Sequence, residues 1–293
     1  MTDDIVDCII SFLLLNRFFY VFNEYKYLEI FAEFWSEMSM IDQTLSIKEI
    51  CALVLEKNIS KEQIDKLRED TRSTVVRLVK KWDKEQAELE RVQNLYYNEY
   101  QFLKNGYDVI AGVDEAGRGP LAGPVVVAAV ILPLGFHIPK INDSKKLSAK
   151  LREEIYHNII QNAIAIERAV ISQETIDKIN IYQSTVQGMY EVIDHLNPRP
   201  KAVFIDAVPL DKLTMPSLSL IKGDAISASI AAASIIAKVE RDKIMDELDH
   251  AYPMYGFSQH KGYGTKQHIE AIGKYGPCPV HRKSFEPIKS WRN

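Results

Sequence analysis

The sequence predicts an α/β protein, a mixed sheet flanked by helices, with an α-helical N-terminal extension ahead of it. Two observations carry that reading. Between Thr2 and Asn105 there is no glycine or proline, and apolar residues recur there at helical spacing. From Gly106 onward, short β-branched runs alternate with amphipathic stretches, as strands and helices do when they share one layered core. The 293 residues leave room for one large domain with an appendage. Three segments are expected: an aromatic-rich leader over 1–40, a helical region over 41–105, and the α/β domain over 106–293.

The leader is acidic, at net −5 against +1 for the remainder, and the whole chain carries −4, so no global basic signature points to a polyanion. Two readings of the leader stay open: an amphipathic helix packed on the body, or an upstream extension, with Met38 or Met40 as the usual start. The apolar run Ile9 to Phe22 is shorter than the ~20 residues of a membrane span, and Asn16 and Arg17 interrupt it. Acids at Asp3, Asp4 and Asp7 contradict the basic start of a signal peptide. The three cysteines match no metal-ligand spacing, and a reducing, cytoplasmic setting is expected.

Ser46 with Glu49 and Ser60 with Gln63 have capping-box spacing and open two helices, the first with Ile47, Ile50, Cys51, Val54 and Leu55 on one face. A helical stretch from Thr74 to Leu103 follows, with basic residues from Arg72 to Lys84 on a solvated face. Val109–Val113 and Val125–Leu132 read as buried strands. Ser148 caps a helix to Asn162 that turns Leu151, Ile155, Ile159 and Ile160 inward. Ala163–Ile171 is a third strand, 172–179 and 182–196 are helices, and Ala202–Ile205 and Ser217–Ile221 are two more apolar runs. A long helix spans about 225–250, its first half rich in Ala and Ser. A loop and a short helix over about 265–275 follow.

Three of the apolar runs lead into acids: Asp114 and Glu115, then Asp206, then Asp224 shortly after the last. Strand ends in open α/β sheets gather into the functional crevice. Carboxylates converging there repel one another unless hard divalent cations sit between them, and two such ions clamp the attacking and leaving oxygens of a phosphoryl displacement. Taken singly, each acid is as well explained by a turn or a cap, and Asp224 stands where it would cap the long helix. The turn Gly117-Arg118-Gly119 lets main chain approach a ligand closely. His260, His268 and His281 match no zinc spacing.

The run Gly112-Val113-Asp114-Glu115-Ala116-Gly117-Arg118-Gly119-Pro120 through Pro124 resembles the signature of the bacterial ribonuclease HII family. Further matches follow in order: Asn142 to Ser148, Ile205-Asp206-Ala207, Ile221 to Asp224, Ala233 to Val239, His260 to Lys266, and His281-Arg282. The resemblance covers about Tyr107 to Trp291, and the helical region is similar to an extension seen in some members. It implies an RNase H-like fold and hydrolysis of the RNA strand of RNA–DNA hybrids, including single ribonucleotides embedded in duplex DNA. Cleavage would fall on the 5′ side, leaving 3′-hydroxyl and 5′-phosphate ends. Asp114, Glu115, Asp206 and Asp224 would hold two Mg²⁺ or Mn²⁺ ions, with Asp114 bridging.

By the same resemblance, Gly117, Arg118 and Gly119 would read the 2′-hydroxyl, with Arg118 on a phosphate. Tyr263 would pack on the neighbouring deoxyribose. Ser144, Lys145 and Lys146 would meet the phosphate backbone, with Lys145 facing the site. The partners implied are RNA–DNA hybrids and ribonucleotide-containing duplexes, not a membrane, and a monomer is expected. A type HIII ribonuclease would carry Glu where this chain has Asp224. A catalytically inactive hybrid-binding protein and a helical scaffold are the other readings.

Overall fold

The computed structural model describes residues 45–291 apart from Lys57, so both readings of the leader lie outside the described residues. The chain divides into two compact units, 1–85 and 86–293. In the first, helices α1 (Ile47–Leu55), α2 (Lys61–Leu67) and the start of α3 (Ser73–Asn94) enclose a core of Ile50, Ile64, Leu67, Val75 and Val79. Both capping boxes form, each serine hydroxyl accepting from the third helical amide while that residue's side chain accepts from the serine amide. On α1 only Ile50 is buried, and Leu55 at its C-terminal end is exposed.

In the second unit the expected helix over 74–103 is interrupted. α3 ends at Asn94 and α4 (Tyr97–Lys104) restarts it. No breaker residue lies between them; tertiary partners take over instead. The Leu95 carbonyl accepts from the Ala228 amide at 3.1 Å, and the buried Tyr96 hydroxyl donates to the Phe136 carbonyl at 2.8 Å.

Five strands form one mixed sheet in the order β3-β2-β1-β4-β5. They are β1 (Ile110–Ala116), β2 (Val125–Ile131), β3 (Ala165–Ile171), β4 (Ala202–Asp206) and β5 (Ser217–Leu220). β1 pairs antiparallel with β2 and parallel with β4; β2 and β3 are antiparallel, β4 and β5 parallel. β5 is an edge strand, its side chains exposed or half-buried in alternation, rather than the apolar run expected.

One sheet face packs on α5 (Ala149–Asn162) and the long α8 (Ala228–Ala251), the other on α6 (Gln173–Ile179) and α7 (Ile181–His195). On α5, Tyr156 is buried, whereas Ile160, expected inside, is 42% exposed. The Ala/Ser face of α8 allows close approach to the sheet: a Cβ on Gly112 would lie 2.0 Å from the Ser229 carbonyl carbon. Helix α8 starts three residues later than expected, because Ser227, not Asp224, accepts from the Ile230 amide as its cap. Two short helices complete the chain, α9 (Phe257–His260) inside the expected loop and α10 (Lys266–Tyr275).

Candidate active site

The acids of the first motif lie within β1, not after it. Its ladder with β2 continues through Asp114 opposite Ala128 and Glu115 opposite Val127, so the strand holds both carboxylates rigidly. Strand alternation sends the two to opposite faces. The parallel register pairs Val113 with Ile205, so the next residue of β4, Asp206, stands alongside Asp114. Asp224 sits on a short 3-10 turn (Gly223–Ala225) after β5, and the Gly223 amide donates to Asp206 Oδ1 at 2.8 Å, which ties that turn to β4.

These carboxylates share an electrostatic environment. Asp114, only 4% exposed, titrates well above the usual carboxylate range because it is buried, and because Glu115 and Asp206 add negative charge; a Ser234 hydroxyl and the Glu115 amide oppose the shift. Burial also raises Glu115, against the pull of Arg118. Asp224 is pushed up to about 6 by burial, then by Asp143 and Asp206. Glu115 Oε2 is buried without a hydrogen-bond partner. A buried carboxylate oxygen left unsatisfied, beside acids that would rather be neutral, fits a site built to receive positive charge. No three His, Cys, Asp or Glu side chains among the described residues are already drawn together tightly enough to hold an ion. Such a donor set suits a hard cation that keeps waters and takes substrate oxygens.

Around this centre the other sequence-predicted residues divide. Arg118 lies on Glu115, Nη1 to Oε1 at 3.3 Å, and is half-exposed. Lys145 is lowered by its partial burial, but the charges of Asp114, Asp143 and Asp224 outweigh that and raise it. Lys146 is 63% exposed, its ammonium 4.0 Å from Asp143. Ser144 is buried, its hydroxyl 3.0 Å from Ser234 Oγ, so it braces the loop on α8 and does not face solvent. Tyr263 is 43% exposed, and a methyl on Gly119 would lie 3.7 Å from its ring, so the two border the same surface.

The glycine turn is held from beneath by two buried arginines that sequence reasoning missed. Arg282 donates to the carbonyls of Gly117 (2.6 Å), Arg118 (2.9 Å), Gly123 (3.0 Å) and Pro124 (3.2 Å). Arg241 donates to Pro124 (3.0 Å), Ala122 (3.2 Å) and Lys261 (3.0 Å). Burial, and then the charge of Arg241, brings Arg282 down to about 9. Gly117 is in the left-handed region at φ 98°, and a Cβ there would lie 2.0 Å from Arg241 Nε, so no other residue fits. With the carbonyls turned inward to the arginines, the opposite side of the turn is left for a ligand. Asp143 and Ser234 were missed as well. Both lie inside motifs that carried the resemblance, and only the fold brings Ser234 of α8 against Asp114.

His260, His268 and His281 do converge, but their ring nitrogens are engaged with Tyr255, Gly262, Tyr263, Cys278 and one another. No helix among the described residues is long and apolar enough to cross a membrane.

Residues 111–288 match the family model described as Ribonuclease HII, and 46–104 match the Ribonuclease HII N-terminal domain. The chain is 50% identical over 248 residues to a ribonuclease HII of Enterococcus faecalis, covering 83% of this chain and 96% of that one. It is 51% identical over 254 residues to one from Bacillus cereus, covering 84% and 98%. Among solved structures it is similar to ribonuclease H2 of Pyrococcus horikoshii, with a TM-score of 0.55 and 25% identity, covering 62% of this chain and 96% of that one. It is also similar to the ribonuclease HII of Archaeoglobus fulgidus solved with PCNA, with a TM-score of 0.52 and 28% identity, covering 61% and 95%.

Proposed function

This chain belongs to the ribonuclease HII family and is a ribonuclease H of type HII, and from that premise we propose that it nicks duplex DNA on the 5′ side of embedded single ribonucleotides, besides hydrolysing the RNA strand of RNA–DNA hybrids. The products are 3′-hydroxyl and 5′-phosphate ends, and the setting is ribonucleotide excision repair and replication in the cytoplasm, by a monomer. Residues 106–293 carry the catalysis, and 41–105 form the helical extension.

The observation that carries this reading is the placement of Asp114, Glu115 and Asp224, whose carboxyl groups are raised by burial and by neighbouring acids, around Asp206, with one buried oxygen of Glu115 left unpaired. These four would hold two Mg²⁺ or Mn²⁺ ions, which supply activation of the attacking water and neutralisation of the leaving oxygen. The protein's own groups do the rest. β1 and β4 fix Asp114 and Asp206 side by side on rigid backbone, so little reorganisation is left for the reaction. The Gly117–Gly119 turn offers main chain to the 2′-hydroxyl, the group that distinguishes RNA from DNA. Arg118 exchanges Glu115 for a phosphate when nucleic acid arrives. Lys145, held at full charge by the neighbouring acids, meets the backbone beside the scissile bond, Lys146 meets it further out, and Ser144 braces the loop that carries both. Tyr263 packs on the deoxyribose that follows and favours an RNA–DNA junction.

The test is a duplex containing one ribonucleotide, assayed with Mg²⁺ or Mn²⁺ and with EDTA. Nicking 5′ of the ribonucleotide, lost with EDTA and abolished by Asp114→Asn, is expected. Full activity of that variant would remove the proposed metal site.

A further inference from the structure

The three histidines that resemble no metal motif form the best-defined buried polar cluster outside the acids. His268 and His281 are 0% and 1% exposed, and His260 is stacked on His268 with ring centroids 4.4 Å apart. Their hydrogen bonds fix the protons. The Cys278 amide donates to His281 Nδ1 at 2.9 Å, closer than the Cys278 thiol at 3.1 Å or its carbonyl at 3.3 Å, so the shortest contact assigns that nitrogen the lone pair and the neutral ring its proton on Nε2. His281 Nε2 lies 3.0 Å from His268 Nε2 and is therefore the donor of the pair. His268 must then hold its proton on Nδ1, which donates to the Tyr263 carbonyl at 2.9 Å. Each bond dictates the next, from the C-terminal segment to the residue proposed to sense the junction.

The same loop is fastened on its other side. The Tyr263 amide donates to the His260 carbonyl, and the Gly262 carbonyl accepts from Leu121 on the segment that follows the glycine turn. Burial lowers His268 and His281 to about 4, so both are neutral at ordinary pH, as a single shared proton between two facing Nε2 atoms requires.

We propose that His268 and His281 are positioning residues for substrate selection, a directed hydrogen-bond chain from Cys278 that holds the Tyr263 main chain so that its ring borders Gly119. The proposal rests on the reading of Tyr263 as the junction sensor, and the experiment separates the two.

In the free, full-length protein, nitrogen NMR should find His281 protonated on Nε2 and His268 on Nδ1, with a scalar coupling between the two Nε2 atoms. The opposite tautomers, or no coupling, would overturn the chain. His281→Phe keeps ring volume and removes both bonds. It should lower the preference for a DNA-flanked single ribonucleotide over an all-RNA hybrid, as a ratio of kcat/KM, by about tenfold, with activity on the all-RNA hybrid within about twofold. His281→Gln, whose amide can still donate to His268, should restore most of the ratio. In a Tyr263→Ala background the His281→Phe effect should vanish, and its persistence at full size would show a merely structural role. Should Tyr263→Ala leave the preference intact, the junction-sensor reading fails. The positioning claim is then decided by whether His281→Phe moves the Tyr263 ring resonances, which it must. If His281→Phe does not fold, His268→Phe replaces it: it removes the bond to the Tyr263 carbonyl together with the His281 link, and an unchanged ratio there would equally overturn the proposal.

Discussion

Asp114 shows what the site costs at the scale of one residue. Its carboxylate is buried, beside two other acids, in the middle of a strand that cannot move to relieve it. Removing the charge should therefore help the fold while it ends catalysis. Asp114→Asn is expected to raise the stability of the cation-free protein by about 1–2 kcal/mol, the usual scale of gains made at strained functional sites. Urea denaturation in EDTA measures it, and a loss of stability would mean that the wild-type carboxylate is not strained. That Asp114 is an acid at a sheet was legible in the sequence, because apolar residues lead straight into it. Its place inside the ladder was not, since pairing of Glu115 with Val127 depends on a partner strand that no local pattern specifies.

Among the elements, α8 shows how the Asp224 turn is tied to α4. Glu99, on α4, is buried and accepts from the Ser227 and Ser229 hydroxyls at 2.7 Å each and from the Ser229 amide at 3.3 Å. It is thus a second, external cap on α8, placed just behind the Asp224 turn, where a helix N-terminus favours negative charge. Burial raises its carboxyl nonetheless. Glu99→Ala should cost about 1–3 kcal/mol by leaving these donors unpaired. It should also slow nicking through disorder at Asp224. A melting temperature matching wild type would show the contact to be incidental. Serine caps such as Ser46, Ser60 and Ser148 were readable because cap and amide are three residues apart. The Ser227 cap escaped notice, since Asp224 competed for the same role by sequence. The break at Leu95–Tyr96 escaped too, because its causes, Ala228 and Phe136, lie far along the chain.

For the molecule as a whole, two sets of groups pull its pH response in opposite directions. Asp224, at about 6 in the fold, lies above its unfolded value near ~3.9, so the stability it contributes is full below that value and lost as pH rises through about 6. His268 and His281, at about 4, lie below their unfolded value near ~6.5, so their contribution is full above that and lost as pH falls through about 4. A divalent cation relieves only the first set. Mg²⁺ should raise the melting temperature by several degrees at roughly pH 8 and by much less at roughly pH 5, where Asp224 is largely protonated. Equal increments at both would contradict a carboxylate site. The arginines beneath the glycine turn carry a consequence at this scale. Arg282 grips Arg118 by its carbonyl, an atom every amino acid has, and leaves its side chain outside. Anchor and fingertip are thus separate parts. The residue at 118 can be exchanged by design without loosening the scaffold that presents it.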